Sequence, residues 1–377
     1  MEKADIIVLG AGIAGASAAY ELAATHRVLL LEREPQPGLH STGRSAAIFS
    51  EIYGNAVVRG LSRASRAFLF SPPGGFAGAP LVSPRATLFV APADQVETLR
   101  AMRTDADVAA GTEPMSVDEA LARVPILARE RVAEALYEPG ASDIDVNGLH
   151  QGFLRGFKAR GGALICDIRV DALDRKGTAW RVIAGDAAYE TPILVNATGA
   201  WADEVAKMAG VAPIGIEPKR RTVVLLDAPK EHDIRAWPLT IDADETFYFK
   251  PDAGRILLTP ADETLSPPCD AQPEELDVAL AIDRFESFTT MRVRRVVHKW
   301  AGLRSFARDR TPVVGFDGAA PGFFWLAGQG GYGMQTSSAM ARTAAALVRG
   351  EDVPADIRAE GVSATALSPA RLRGGRS

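Results

Sequence analysis

The first residues of the chain alternate between short apolar runs and one longer helical pattern. Residues 5–9 (Asp-Ile-Ile-Val-Leu) predict a buried strand, residues 14–25 predict a helix, and the apolar residues 28–31 predict a second buried strand. A glycine-rich turn, Gly-Ala-Gly-Ile-Ala-Gly at 10–15, joins the first strand to the helix, and Glu32 ends the second strand. This order is typical of a dinucleotide-binding βαβ unit.

Two similar strand-to-helix patterns lie much further along the chain. Residues 193–199 (Ile-Leu-Val-Asn-Ala-Thr-Gly) predict a buried strand that runs into a glycine turn, and residues 201–209 predict the helix that follows it. Residues 323–327 (Phe-Phe-Trp-Leu-Ala) predict another buried strand, which meets a glycine-rich turn and then an Ala-rich helix at 334–349. Because continuous apolar strands are typical of parallel sheets, we expect these segments to join the first unit in one sheet.

The middle of the chain is richer in strand patterns than the two ends. We predict strands at 87–90, 163–169, 178–184, 188–190, 221–227, 246–250, 255–259 and 292–301, and helices at 94–103, 116–123, 147–160 and 273–288. Asp94 and Ser116 are suitable N-cap residues for two of these helices. The pattern predicts a second, mostly antiparallel sheet.

Each part of the first turn has a physical role in binding a dinucleotide. Gly10 allows a tight turn, Gly12 lets the backbone approach a pyrophosphate, and Gly15 lets the helix pack closely on the sheet. The helix that begins at Ile13 and Ala14 presents N–H groups and a partial positive charge to phosphate. Glu32 can accept hydrogen bonds from ribose hydroxyls and would repel a 2′-phosphate, which disfavours NADP. A Rossmann-like core that binds no phosphate is the alternative.

Composition excludes several other classes of function. A chain of 377 residues is long enough for two domains, and its net charge of −5 does not suggest a nucleic-acid partner. Cys166 and Cys269 are far apart, and the five histidines show no ligand spacing, so no metal site is expected. No apolar run reaches transmembrane length, and a strand that starts at residue 5 leaves no room for a signal peptide. We expect a cytoplasmic protein and leave peripheral membrane contact open.

The distribution of nucleotide-type elements favours a flavin over a nicotinamide cofactor. The chain leaves the nucleotide fold soon after Glu32 and returns near its end with a second glycine-rich turn and helix. N–H groups of Gly333, Met334 and Gln335 at the start of that helix would face the flavin edge that becomes negative on reduction. A nicotinamide dehydrogenase remains a distant alternative, which a colourless protein would favour.

The fold that we predict is therefore α/β, with two domains. A Rossmann-like, FAD-binding domain would be built from residues 1–82, 143–213 and 303–377. An α+β substrate-binding domain with an antiparallel sheet would be built from residues 83–142 and 214–302.

The sequence resembles the superfamily of FAD-dependent D-amino-acid oxidases and glycine oxidases, and within it most closely the bacterial D-arginine dehydrogenases. The resemblance runs in order along nearly the whole chain. It is carried by residues 10–32, His-Ser-Thr-Gly-Arg-Ser-Ala-Ala at 40–47, Gly-Ala-Ser-Asp-Ile-Asp at 140–145, residues 195–201, Pro-Lys-Arg-Arg at 218–221, residues 247–254, Trp-Ala-Gly-Leu-Arg-Ser-Phe at 300–306 and residues 329–336.

This resemblance implies oxidative deamination of D-amino acids by hydride transfer from Cα to flavin N5. The imino acid would then hydrolyse to a 2-oxo acid and ammonia. Arg221 and Arg304 match the positions that bind the substrate carboxylate, and Tyr53 and Tyr248 match the phenols that close over the head group. Gly331 matches the position whose carbonyl accepts a hydrogen bond from the substrate amine. Without the resemblance, a surface ion pair is the simpler interpretation of each arginine.

The resemblance also implies a set of residues around the cofactor. Ser45 and Ala46 would lie along the flavin, Val170 would flank the adenine, and Ser41, Thr42 and Arg44 would contact phosphates or the ring edge. The other cofactor residues expected are Arg33, Ala47, Thr198, Gly199, Trp201, Gly302, Gly330, Tyr332 and Thr336. No cysteine occurs near 328–336, so we expect non-covalent FAD.

The sequence departs from the D-arginine dehydrogenase pattern in the expected substrate pocket, which includes Ile48, Ser50 and Thr87. That pattern has an acid where this chain has Thr87 and a histidine where it has Ile48. Both changes make the pocket less polar and predict a preference shifted from cationic towards neutral or apolar D-amino acids. Glu51 is a possible replacement acid, although an exposed loop carboxylate is the simpler interpretation.

Two other functions remain open at this point. One is a sarcosine- or glycine-type amine oxidase that uses O₂, and the other is a flavin-binding protein without catalytic activity. For a dehydrogenase the electron acceptor is unidentified, and a quinone or an electron carrier would serve.

Overall fold

The computed structural model describes residues 2–373, and its central sheet draws six strands from three separate parts of the chain. Five strands are parallel, and the sixth, at one edge, is antiparallel. In spatial order they are Ala163–Ile165, Val28–Leu31, Ile6–Leu9, Ile193–Asn196, Phe323–Ala327 and Val313–Phe316. Strands buried on both faces consist of continuous apolar residues, which is why this sheet could be predicted.

Four long helices cover one face of the central sheet. They are Ile13–Leu22, Ala56–Phe70, Val146–Ala159 and Gly333–Val348. Their buried side chains form one apolar cluster with sheet residues such as Ile6, Val8 and Val195. Close packing of the helices on the sheet places two helix N-termini at the carboxyl ends of the strands.

A small sheet covers the other face. Its strands, in spatial order, are Glu2–Lys3, Ala187–Thr191, Ala179–Ala184 and Ala172–Lys176. Trp180, Val182 and Tyr189 from this sheet pack with Ile7 and Leu29 of the central sheet. The central sheet is therefore covered on both faces, as parallel sheets require.

A second large sheet lies beside the nucleotide-type domain and is mostly antiparallel. Its strands, in spatial order, are Gln329–Gly330, Val296–Phe306, Glu217–Asp227, Arg255–Thr259, Tyr248–Asp252, Leu239–Asp242, Thr87–Ala91, Glu134–Glu138 and Glu113–Met115, and Thr264–Leu265 pairs with Glu217–Asp227. One face packs on the helix Glu275–Phe288 around Phe247, Phe249 and Phe285. The opposite face carries Val223 and Tyr248 towards the cavity described below.

Shorter elements complete the described part of the chain. They are the helices Val96–Met102, Ala106–Gly111, Val117–Arg123, Ala202–Met208, Ala355–Ala359 and Ala364–Leu367, the 3₁₀ helices Arg129–Arg131, Gly199–Trp201 and Pro369–Leu372, and a three-stranded sheet of Ile48–Phe49, Ser142–Ile144 and Val82–Pro84. Among residues 2–373, no helix combines the length and the apolar character that crossing a membrane would require.

The predicted α/β fold, with a Rossmann-like sheet from three segments and a second antiparallel sheet, is confirmed. The exact division into two domains stays a prediction, and its first and last residues, 1 and 374–377, lie outside the described residues.

Several local predictions need correction. The helix Ala56–Phe70 was not predicted, although Asn55 caps it by accepting a hydrogen bond from the Val58 N–H at 3.0 Å. Ser116 is confirmed as an N-cap, in a capping box with Glu119, whereas the helix near Asp94 starts only at Val96.

Several predicted strands have different bounds in the structure, among them 221–227, which begins at Glu217, and 246–250, which covers Tyr248–Asp252. The strand predicted at 163–169 ends at Ile165, because Asp167 adopts a left-handed conformation with φ of 57°. The strand predicted at 292–301 instead covers Val296–Phe306.

Candidate active site

A long cavity runs from the carboxyl ends of the parallel strands to the second large sheet. Of the expected cofactor residues, it is lined by Gly10, Gly12, Ile13, Ala14, Glu32, Arg33, Ser41, Thr42, Arg44, Ser45, Ala46, Val170, Thr198, Gly199, Trp201, Gly302, Gly330, Gly331, Gly333 and Met334. Arg221, Tyr248 and Arg304 line its far end. The remaining expected residues, Gly15, Ala47, Ile48, Ser50, Tyr53, Thr87, Tyr332, Gln335 and Thr336, do not line this cavity.

The glycine-rich turn has the geometry that its sequence predicts. Gly10 has a φ of +92°, which favours glycine, and a Cβ at Gly15 would lie 1.8 Å from the Gly10 carbonyl oxygen. A Cβ at Gly12 would lie 3.2 Å from Thr42 Oγ1. The helix Ile13–Leu22 therefore packs closely against the turn that precedes it. The three glycines have no side chains, so the backbone of the turn stays accessible.

Two side chains hold this turn in place. Thr42 Oγ1 accepts a hydrogen bond from the Ile13 N–H at 2.9 Å, so this N–H of the first helical turn is already paired. Glu32 accepts the Ala11 N–H at 2.7 Å through Oε2 and the Glu34 N–H at 3.0 Å through Oε1. Each carboxylate oxygen has a second lone pair, which leaves Glu32 able to accept a ribose hydroxyl as well.

A buried histidine supports the turn from behind. His150 Nε2 lies 2.9 Å from the Ala11 carbonyl oxygen, and a Cβ at Gly38 would lie 2.8 Å from the imidazole. Nε2 carries the proton, because a carbonyl can only accept. Burial lowers the pKa of His150 below its ordinary value of 6.5, so the folded protein holds a neutral ring.

We expect this histidine to make stability depend on pH. Below a pH of about 6.5 the unfolded chain binds a proton at this residue more readily than the folded protein, so the stability that neutral His150 provides is lost as the pH falls. The thermal midpoint of the wild type should decrease from about pH 7 to about pH 5, and His150→Gln, which keeps a donor near Nε2, should decrease less. An equal decrease in that variant contradicts the assignment, and His298→Gln, at an exposed histidine, is the control.

An aromatic and charged cluster borders the cavity near Glu32. The Arg33 guanidinium lies 4.2 Å from the centre of the Trp201 ring, and the His40 ring lies 4.9 Å from the same ring. His40 Nε2 contacts Glu34 Oε1 at 2.9 Å, while its buried Nδ1 has no hydrogen-bond partner within residues 2–373. His40 was not among the predicted cofactor residues, although it begins one of the stretches that carry the resemblance.

Ser41 and Arg44, two of the residues expected to contact phosphates or the ring edge, also contact protein backbone. Ser41 Oγ donates to the Leu303 carbonyl oxygen at 2.6 Å. Arg44 donates to the carbonyl oxygens of Ala271 at 2.9 Å and Ala301 at 3.0 Å, and it pairs with Asp270. These contacts connect the turn at 38–45 to the second large sheet.

At the far end of the cavity, one guanidinium lies between two phenols. Arg304 donates to Tyr53 Oη at 3.4 Å and to Tyr248 Oη at 3.3 Å. A Cβ at Gly331 would lie 3.0 Å from Arg304 Nη1, so the Gly331 backbone is directly beside the cation. No carboxylate within residues 2–373 lies within 4.0 Å of Arg304. Arg304 is partly buried, and a cation withdrawn from water without a carboxylate in contact is typical of a site for an anion.

Arg221 provides a second positive charge beside this group. Its Nε donates to the Asp262 carbonyl oxygen at 2.9 Å, and Nη2 lies 3.5 Å from Glu263 Oε1. Burial and the charge of Arg304 together lower the pKa of Arg221. Burial opposes ionisation of the Tyr248 phenol, but the charges of Arg304 and Arg221 outweigh it and lower the pKa of Tyr248. The fold therefore brings Tyr53, Arg221, Tyr248, Arg304 and Gly331 together in one group.

The expected pocket residues Ser50 and Thr87 meet a buried acid that sequence reasoning missed. Ser50 Oγ donates to Glu138 Oε1 at 2.7 Å, and Thr87 lies opposite Glu138 in adjacent strands. Glu138 is 3 % exposed, and burial raises its pKa to about 7. Glu51, by contrast, pairs with Arg66 at 3.2 Å at the surface.

Residues at the start of the helix Gly333–Val348, after the second glycine-rich turn, contact Ser50 and Tyr53. Gln335 Oε1 accepts the Ser50 N–H at 3.1 Å, and the Tyr332 ring lies 5.0 Å from that of Tyr53. Thr336 donates to the Tyr332 carbonyl oxygen at 2.9 Å. These three residues support the site from inside the protein.

Comparison with known proteins identifies the group that this cavity holds. Residues 5–347 match the family model described as FAD dependent oxidoreductase. The chain belongs to this family. FAD is its cofactor, and non-covalent binding is typical of the family.

The residues present fit FAD. Gln329 Nε2 and His40 Nδ1 are buried at the cavity without hydrogen-bond partners in residues 2–373, and both can contact a polar ligand. Gly10 and Gly12 leave the turn open to a pyrophosphate, and Gly331 leaves the backbone open beside Arg304. Neither Cys166 nor Cys269 lines the cavity.

Similar proteins are distant in sequence but close in fold. FAD-dependent oxidoreductase domain-containing protein 1 of Bos taurus is 27% identical over 182 residues, which are 42% of this chain and 36% of that protein. The chain spans half or less of the length of the curated relatives it matches. L-proline dehydrogenase from P. horikoshii has a TM-score of 0.81 at 22% identity, covering 99% of this chain and 98% of that one. Glycine oxidase from Geobacillus kaustophilus has a TM-score of 0.79 at 20% identity, covering 93% and 96%.

Proposed function

We propose that this protein is an FAD-dependent D-amino-acid dehydrogenase that catalyses oxidative deamination. The observation that supports this most directly is Arg304, a partly buried cation that contacts two phenols and no carboxylate among residues 2–373, at the far end of the long cavity. A guanidinium in this setting is suited to bind the carboxylate of a small zwitterion through two parallel hydrogen bonds.

The residues around Arg304 have complementary roles in this proposal. Arg221 adds a second positive charge for the carboxylate, and the Tyr53 and Tyr248 hydroxyls position the head group. The Gly331 carbonyl accepts a hydrogen bond from the neutral substrate amine, whose lone pair is needed when the α-hydrogen leaves as hydride. Positioning of this kind accelerates a reaction without a strong catalytic base.

The cofactor would be held along the whole cavity. The turn at Gly10 and Gly12 and the N-terminus of the helix Ile13–Leu22, apart from the Ile13 N–H that Thr42 accepts, would bind the pyrophosphate, and Glu32 the ribose. The backbone at Gly330–Gly331 and the start of the helix Gly333–Val348 would lie beside the ring. Bound FAD supplies the two-electron acceptor for the reaction.

We further propose that the side-chain preference is shifted from cationic towards neutral or apolar D-amino acids. Ile48 and Thr87 place an apolar and an uncharged side chain where D-arginine dehydrogenases have a histidine and an acid. The reduced enzyme would pass its electrons to a separate acceptor, such as a quinone or an electron carrier.

The test is product formation with a panel of D-amino acids and an artificial dye as electron acceptor. We expect 2-oxo acid and ammonia in equal amounts, with D-leucine or D-methionine at least as good a substrate as D-arginine near neutral pH. Oxygen consumption with matching hydrogen peroxide would instead identify an amine oxidase. The absence of product with every amino acid would favour a non-catalytic flavin protein.

A further inference from the structure

Arg310 is a cation near the candidate active site that the mechanism proposed above does not use. It has a φ of +57°, in the left-handed region that residues other than glycine rarely adopt, and its N–H donates to the Ala307 carbonyl oxygen at 2.9 Å. Its guanidinium lies 4.1 Å from the centre of the Phe306 ring. Phe306 follows Arg304 by two residues in the strand Val296–Phe306. The turn therefore holds Arg310 beside the strand that carries Arg304.

Arg310 makes a bidentate contact with Glu263. Its Nη1 donates to Glu263 Oε2 at 2.9 Å, and its Nη2 donates to Oε1 at 2.7 Å. Planar two-point contacts of this type fix both the distance and the orientation of a carboxylate. The hydrogen bonds from Arg310 are the largest cause that lowers the pKa of Glu263, to about 2, so this carboxylate stays ionised in an enzyme assay.

Glu263 also lies beside the second cation of the candidate site. Among residues 2–373, it supplies the only carboxylate within 4.0 Å of Arg221, and its Oε1 lies 3.5 Å from Arg221 Nη2. Charge-assisted N–H···O contacts are shorter, about 2.7–2.9 Å. Lys219 Nζ lies 3.5 Å from Glu263 Oε2. Arg310 is therefore the closest cationic partner of Glu263, and its contact holds the carboxylate short of a hydrogen bond with Arg221.

We propose that Arg310 is a positioning residue, which keeps Glu263 from neutralising Arg221 and so keeps that guanidinium available for the substrate carboxylate. The inference rests on the proposed function, because it requires Arg221 to bind that carboxylate. The backbone next to Glu263 is already held on Arg221, since the Asp262 carbonyl oxygen accepts from Arg221 Nε at 2.9 Å. A released Glu263 side chain therefore needs only to rotate to compete with the substrate. Arg310 does not line the cavity and acts through Glu263.

The experiment is a double-mutant cycle of Arg310→Met and Glu263→Gln in flavin-loaded protein. The readouts are KM and kcat for the best substrate of the D-amino-acid panel. The Kd of 4-methyl-2-oxopentanoate, a carboxylate without an amine, is measured without turnover from the absorbance of the oxidised flavin. In Arg310→Met we expect KM and Kd to rise about tenfold, which is the size of one charge-assisted hydrogen bond lost to the substrate. The value of kcat should change by less than about twofold, because the carboxylate is bound equally in the ground and transition states.

Glu263→Gln separates the effect of pairing from the effect of net charge. On the wild-type background it should change KM by less than about twofold, because Arg310 already holds the carboxylate. On the Arg310→Met background it should lower KM about tenfold and return it close to the wild-type value. An attraction that depends on net charge alone would give the same change on both backgrounds. Equal changes on the two backgrounds therefore overturn the inference.

Two further variants complete the design. Arg310→Lys keeps the charge but loses the two-point contact, so KM should rise about threefold, and an unchanged KM overturns the inference. Arg255→Met is the matched control, because Arg255 pairs with Asp227, 3.1 Å away at the end of the strand that carries Arg221, and it should keep the wild-type KM and Kd.

The outcomes distinguish this inference from the proposed function. If no D-amino acid of the panel reduces the flavin of the wild type, the proposed function itself has failed. If the wild type is reduced but the cycle is additive, only the role of Arg310 is refuted. Should Arg310→Met lose its flavin, the same cycle built on Arg310→Lys decides, with the smaller rise in KM again expected to disappear when Glu263→Gln is added.

Discussion

Replacing Arg304 by methionine is expected to lower kcat/KM by about a thousandfold for every amino acid substrate. The guanidinium would otherwise bind the substrate carboxylate with two charge-assisted hydrogen bonds, each contributing about 1.5–3 kcal/mol. Methionine fills a similar volume and removes the charge. Most of the loss should appear in KM, because the carboxylate is bound in the ground state as well as in the transition state.

Two further variants show whether the loss of kcat/KM comes from the missing charge or from the missing bidentate geometry. Arg304→Lys keeps the charge but cannot make a bidentate contact, and it should recover only part of the activity. Arg221→Met should have a smaller effect than Arg304→Met, because the Arg221 Nε is already bonded to the Asp262 carbonyl oxygen. Flavin content is measured for each variant, and unchanged kinetics in flavin-loaded Arg304→Met would remove this residue from substrate binding.

Replacing Gly15 by alanine is expected to abolish stable FAD binding. The added Cβ would lie 1.8 Å from the Gly10 carbonyl oxygen and 3.0 Å from its carbonyl carbon. Both are backbone atoms of the turn that approaches the pyrophosphate, so relief of the clash must displace the turn. Overpacking of this kind costs about 1–3 kcal/mol or more, which corresponds to an FAD affinity lower by about fivefold to about 150-fold or more.

Gly78→Ala is the control for that substitution, because no atom lies within 4 Å of its added Cβ. It should retain the flavin content of the wild type. Gly12→Ala should be intermediate, since its Cβ meets only the Thr42 hydroxyl at 3.2 Å. The ratio of flavin to protein absorbance gives the occupancy, and circular dichroism shows whether each variant is folded. Full flavin content in Gly15→Ala would show that the packing argument is wrong.

The sequence predicts the central sheet well, because its strands are buried on both faces and each is followed by a turn. Phe323–Ala327 has the predicted bounds, and Ile193–Asn196 begins at the predicted residue. Elements at edges are harder to predict. Ile48–Phe49 and Val82–Pro84 are too short to show a periodicity, and they form through pairing with Ser142–Ile144, which is distant in sequence.

The residues of the site also divide into those that a local motif predicts and those that only contacts between distant segments bring together. Arg221, Tyr248 and Arg304 were predicted from motifs, and the fold brings them together. Glu138 was not predicted, because only strand pairing places it opposite Thr87 and beside Ser50. Glu138 ends a strand whose three middle residues are Ala, Leu and Tyr, and this position at the strand end is the signal that was available. Ser41 and Arg44 donate to the carbonyl oxygens of Leu303 and Ala301 in the second large sheet, and a backbone partner of this kind cannot be identified from the type of residue that carries it.

The most direct test is anaerobic mixing of the purified protein with the two enantiomers of one amino acid, followed by flavin absorbance. The account predicts a yellow protein whose visible absorbance is bleached by the D-enantiomer and not by the L-enantiomer. A colourless protein, or bleaching by the L-enantiomer alone, would contradict it.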